Sequence, residues 1–80
     1  MAYRIQFAPD ADAARRAMPA ARRTTFDREI RSTLGTDPYG HGSTARGEKD
    51  RREIVIAGAI VIYYVSQAVA MVTAVTIISV

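Results

Sequence analysis

Eighty residues, a formal net charge of +3 and no cysteine set narrow bounds on this chain. A chain of this size forms one domain and buries only about 60% of its unfolded surface, so it needs a dense core. The missing cysteines exclude a disulfide framework and a thiolate metal site, while the basic balance permits an anionic partner without demanding one.

The opening, Met1-Ala2-Tyr3-Arg4, has no apolar stretch after its charge, so no secretory signal is expected and the cytoplasm is the expected compartment. Tyr3-Arg4-Ile5-Gln6-Phe7 alternates apolar and polar residues with period 2, which predicts a half-buried strand. Pro9-Asp10 closes that strand, and Asp10 or Asp12 is expected to cap a short, Ala-rich helix over residues 11–18. The helix must stop before Pro19, which then suits the first turn of a second helix. In that second helix Phe26, Ile30 and Leu34 fall at i, i+4 and i+8. This single apolar stripe is expected to pack on a sheet together with Ile5 and Phe7. Gly35 is expected to close the helix in the left-handed conformation.

Residues 35–50 read as the longest irregular stretch and hold four of the five glycines. Loops of this length in compact domains are usually functional or disordered. His41 sits there between Gly40 and Gly42. Histidine titrates near neutral pH and can serve as a general acid or base. A lone histidine flanked by glycines is more often an exposed loop residue.

From Ile54 to Val80 the chain carries no charge, and this tail supports two readings. An uncharged apolar run of this length can cross a bilayer as a helix over residues 54–80, with Arg51 and Arg52 as its cytoplasmic flank. A central Val or Ile contributes about −0.3 to −0.6 kcal/mol to such insertion. However, 15 of the 27 residues are Val, Ile or Thr, which favour pleated sheet. Ala57-Gly58 and Ser66-Gln67 cut the run into strand-length pieces. The sheet reading places strands over residues 52–57, 59–66 and 71–79. Gly58 then serves a tight hairpin, and the last strand risks a bare edge that invites a partner.

Several short motifs bear on the choice. The run from Tyr3 to Ala11 looks like the first strand and "Pro-x-Ala" helix start of the RelE/ParE superfamily of toxins. Leu34 to Ser43 is similar to that family's "L-x-x-D-P" loop. Ala45-Arg46-Gly47 stands where "L-[KR]-G" is usual, and Ile62-Tyr63-Tyr64-Val65 resembles "V-x-Y-x-V". In order and spacing, the chain resembles this superfamily over nearly its whole length. The resemblance implies a single domain over residues 1–80 of the α+β class. Its order would be β-α-α-β-β-β, a small mainly antiparallel sheet with a helical hairpin packed on one face.

It also implies a function. Members silence growth by cutting ribosome-bound messenger RNA without metal or other cofactor, or by poisoning DNA gyrase, and each is held inactive by a cognate antitoxin. Metal-free cleavage uses the RNA 2′-OH as nucleophile and needs fixed positive charge at the phosphorane, for which Arg is well suited. Under that reading the clustered cations Arg46, Arg51 and Arg52 are the candidates for the catalytic roles. Lys49, Tyr63 and Tyr64 are candidates for RNA contacts by charge and stacking, and the helix arginines Arg15, Arg22 and Arg23 for contacts with an acidic antitoxin segment. The plainer reading of the first cluster is solvated charge, since Glu48, Asp50 and Glu53 interleave with it.

The departures also count. RNA-cleaving members carry an Arg in the third family strand, where this chain has Ile60, Val61 and Ile62. They also tend to follow the last strand with basic, His or Tyr residues, whereas this sequence ends on Ile78-Ser79-Val80. Three outcomes stay open besides the membrane protein: a gyrase-type toxin, a cleaver built on other residues, and a degenerate relic that only binds antitoxin.

Overall fold

The computed structural model describes residues 2–79. Its elements are β1 (Arg4–Phe7), α1 (Pro9–Arg16), α2 (Ala20–Thr33), β2 (Thr44–Arg46), β3 (Glu48–Ile56), β4 (Ala59–Ser66) and β5 (Met71–Ser79). They form one five-stranded sheet in the order β1-β5-β4-β3-β2. Only the β1–β5 pair is parallel; the other neighbours run antiparallel.

The tail is therefore sheet. Residues 54–79 supply the end of β3 and all of β4 and β5, with β-branched side chains at most ladder positions. A membrane helix over 54–80 is overturned, apart from Val80, which lies outside the described residues. Among those residues no helix is long and apolar enough to cross a membrane. The β3–β4 connection is the expected hairpin, with Ala57 at φ 50° and Gly58 at φ 77°. Two successive positive φ values match the twist of the flanking strands. Arg22 donates from Nη2 and Nε to the Ala57 carbonyl at 3.3 and 3.4 Å, pinning this turn to α2.

Several boundaries differ from expectation. Helix α1 begins at Pro9, and its cap is Ala8 with no side-chain hydrogen bond. Proline is preorganised for a first turn, so Asp10 and Asp12 fall inside it and favour the positive helix end as charges. Pro19 is itself the cap of α2. Gly35 has no positive φ; instead a β-carbon there would stand 2.3 Å from the Arg31 carbonyl oxygen. Glycine is required at that position for space. The stretch read as irregular contains β2 and the start of β3, joined at Gly47.

The core lies on one face of the sheet. Phe26, Ile30 and Leu34 are buried against Ile54, Ile56, Val61, Tyr63, Val65, Val72, Ala74 and Ile77, with Ile5 and Phe7 packed at the margin. The expected stripe is the one that packs. Arg15 locks the helical hairpin: Nε and Nη2 bond the two Asp27 carboxylate oxygens at 2.7 and 2.8 Å, and the guanidinium lies over Phe7. A planar fork on a carboxylate is a strong pairing, and the Asp27 hydrogen bond raises the Arg15 pKa further.

Candidate functional site

Strand alternation decides where each candidate side chain goes. On β3, Ile54 and Ile56 point into the core, so Arg51, Glu53 and Val55 point to the opposite, helix-free face. Pairing lines these up with β4 and β5. Val55 stands opposite Ile60 and Ile60 opposite Ile78; Glu53 is opposite Ile62 and Ile62 opposite Thr76; Arg51 is opposite Tyr64 and Tyr64 opposite Thr73. The open face thus grades from aliphatic at the hairpin end to charged and aromatic at the other.

At the charged end Arg46 bonds Glu53 at 2.6 Å, and the Arg51 guanidinium stacks 5.7 Å from the centre of the Tyr64 ring. Arg46, Gly47, Glu48, Arg51 and Tyr64 line a shallow cleft of about 260 Å³. Two expected catalytic residues, Arg46 and Arg51, meet one expected RNA-contact residue, Tyr64, here. It holds two arginines, but one is neutralised by Glu53, and Glu48 adds a further negative charge.

Arg52 is not in this cleft. Its register partner is the buried Tyr63, so it points the other way. There Nε donates to Ser43 Oγ at 3.0 Å, Nη1 to the Lys49 carbonyl at 3.1 Å, and Nη2 to the Ser43 and Tyr39 carbonyls at 3.2 and 3.4 Å. The guanidinium also lies over the Tyr39 ring, which Lys49 covers at 5.1 Å from its own Nζ. Arg52 fastens the 37–43 loop to the sheet. The expected trio is split by strand parity, with Arg46 and Arg51 on one side and Arg52 on the other.

Tyr63 also leaves the RNA-contact set. It has no exposed surface, and its hydroxyl donates to the Pro38 carbonyl at 2.5 Å, so its ring cannot stack on a base. Burial raises its pKa. Tyr39 is similarly held, donating to Asp50 at 2.6 Å, and burial together with that carboxylate lifts its pKa to about 12. His41 is exposed at φ 58°, with a ring nitrogen 3.3 Å from Thr36 Oγ1. It reaches neither Arg46 nor Arg51 by hydrogen bond among the described residues.

On the helices, Arg15 and Arg22 are committed to the internal contacts already given, and Arg23 donates to the Arg16 carbonyl at 3.3 Å. A larger depression of about 540 Å³ runs along α2 between Thr24, Asp27, Arg28, Arg31 and Ser32. Its cations, Arg28 and Arg31, carry no signal in the sequence that separates them from ordinary helix-surface charge. In sequence, Glu48 and Glu53 only dilute the charge of the neighbouring cations. Their presence in the cleft follows from β3 alternation once the start of that strand is set at Glu48.

No protein-family model matches the chain, and no curated protein matches it in sequence. Solved structures do match in shape. A variant of the Escherichia coli toxin RelE in the free state superposes with a TM-score of 0.81 at 20% identity, covering 99% of this chain and 84% of that one. The RelE–RelB complex of the archaeon Pyrococcus horikoshii gives 0.78 at 20% identity, over 99% and 96% of the two chains. A RelBE toxin–antitoxin complex of Mycobacterium tuberculosis gives 0.80 at 13% identity, with both chains covered in full. The chain has the fold of the RelE toxins, as its RelE/ParE resemblance implies.

Proposed function

We propose that this chain is the toxin component of a type II toxin–antitoxin pair, acting in the cytoplasm and held inactive by a cognate antitoxin. The observation that carries the reading is the fold match over essentially the whole chain to toxins, several of them crystallised with RelB-type antitoxins. The target would be ribosome-bound messenger RNA or DNA gyrase. If RNA is cut, the cleft of Arg46, Arg51 and Tyr64 is the surface that would hold the phosphate. Arg52 then acts as a positioning residue for the loop behind it.

One observation favours a second reading, a relic that retains antitoxin affinity without catalysis. The open face has Ile60 and Ile62 where RNA-cleaving relatives place an Arg, and Arg46 is spent on Glu53. Induced expression in a bacterial host decides between them. The toxin reading expects growth arrest that is relieved by co-expressing a small acidic partner encoded beside it. Arrest should be lost in Arg46→Ala/Arg51→Ala and kept in His41→Ala. A protein that binds its partner yet neither slows growth nor cuts ribosome-bound messenger is the relic. A protein that does none of these removes both readings.

A further inference from the structure

Holding a phosphate between Arg46 and Arg51 leaves one charged neighbour without a role, the Glu53 carboxylate. It accepts a hydrogen bond from Arg46 Nη1 at 2.6 Å. Glu53 also shares a strand face with Arg51, two residues and about 7 Å away along β3. Its register neighbours are Thr44 on β2 and Ile62 on β4, so no second carboxylate stands directly beside it on either strand.

The Arg46 and Glu53 side chains are 41% and 37% exposed. An ion pair that open to water is weak, whereas an arginine grips a phosphate through two parallel hydrogen bonds. A phosphodiester entering the cleft therefore takes Arg46 away from Glu53. The carboxylate is released next to the phosphate, and the ion pair becomes the resting state of a site.

Cleavage through the RNA 2′-hydroxyl needs a group that accepts its proton. The other polar groups nearby are held elsewhere. His41 sits beside Thr36 and bonds neither cleft arginine among the described residues. Lys49 lies over Tyr39, and an ammonium has donors only. The Tyr64 ring is covered by Arg51. Glu48 lines the cleft from the β2–β3 turn, at the opposite strand parity to Arg51, and pairs with neither arginine among the described residues.

We propose that Glu53 is the general base of RNA cleavage in this cleft, exchanged off Arg46 by the incoming phosphate. This deepens the messenger-cutting form of the toxin reading and rests on it. Glu53 takes the 2′-hydroxyl proton as the 2′-oxygen bonds to phosphorus. The bond from phosphorus to the 5′-oxygen breaks, and its electron pair stays on that oxygen, which takes a proton from water. The hydroxide left behind recovers the proton from Glu53. Arg46 and Arg51 hold the non-bridging oxygens throughout. The products are a 2′,3′-cyclic phosphate and a 5′-hydroxyl end.

The test is single-turnover cleavage of a short messenger on programmed ribosomes, with the protein concentration varied to separate rate from affinity. Glu53→Gln keeps the side-chain shape and should slow the cleavage step about 100-fold or more, with half-saturation no weaker than wild type and an unchanged melting temperature. Glu53→Asp, which restores a carboxylate, should recover part of the rate. A messenger with a 2′-deoxy nucleotide at the cleaved position should be bound equally by wild type and Glu53→Gln and cut by neither.

The proposal is overturned if Glu53→Gln cuts at the wild-type rate, if its loss lies wholly in half-saturation, or if the 2′-deoxy messenger is cut. In each of these cases the toxin reading stands. Growth arrest that an acidic partner relieves, without any messenger cleavage, also removes the base and leaves the toxin. A wild-type protein that neither cuts messenger nor slows growth removes both.

Discussion

The two faces of the sheet are built from the same strands and much the same residue types, yet only one is a core. Under the helices, Ile54, Val61 and Ile77 meet Phe26, Ile30 and Leu34 and are buried. On the other side, Val55 and Ile78 are β-branched residues from the same strands that no second layer covers among the described residues. Hydrophobicity therefore does not distinguish them; the presence of an opposing layer does. The contrast is sharpest at Arg51 and Arg52. They are adjacent and chemically identical, and one lies over Tyr64 in an open cleft while the other is woven into a loop.

The largest expected effect tests the core face. Ile30→Ala should cost about 2–5 kcal/mol, whereas Val55→Ala should fall within about 0.5 kcal/mol of the parent. Chemical unfolding midpoints read both. Equal losses would mean that the open face is not open.

Arg52→Ala comes next. It leaves the Ser43 and Tyr39 carbonyls without their donor, and hydrogen bonds to charged groups are worth about 1.5–3 kcal/mol. Arg51→Ala should change stability by no more than about 0.5 kcal/mol. Amide exchange in residues 39–43 should rise in the first variant and stay unchanged in the second. The reverse order would show that the parity assignment of β3 is wrong.

A smaller effect is expected at the helical hairpin. Asp27→Asn weakens a partly exposed ion pair and should cost about 1 kcal/mol, or a melting temperature lower by about 4–8 °C. Arg16→Ala, whose partner Asp12 is shared with Arg15, should cost less.

The smallest effect is a pH dependence confined to the loop behind the core face. The Tyr39 hydroxyl has its pKa lifted from its ordinary value to about 12. A raised pKa means that the folded state favours the protonated form. That contribution is fully present below about pH 10 and is lost as pH rises through about 12. Melting temperature should decline over that window, and the decline should be shallower in Tyr39→Phe. An unchanged slope would place the dependence elsewhere, with the buried Tyr63 hydroxyl as its source.

Local pattern carried much of this fold. The period-2 run before Pro9, the Phe26-Ile30-Leu34 stripe, the Ala57-Gly58 turn and the boundaries of β4 and β5 are short-range signals, and each depends on neighbours within a few residues. Strand β2 could not be read this way. Thr44, Ala45 and Arg46 are all exposed, have no apolar alternation, and become a strand only because β3 offers its edge beside them.

The candidate site was less legible, for a related reason. The sequence by itself determined that Arg46, Lys49, Arg51 and Arg52 lie close together, and that the uncharged tail is rich in sheet-forming residues. It could not say which side of the sheet each cation serves, because a one-residue change in where β3 begins turns every side chain over. Only the tertiary structure decided that Arg52 and Tyr63 face inward to hold the loop while Arg51 and Tyr64 face outward. The helices cover one face, and that choice fixes the parity of every strand beneath them.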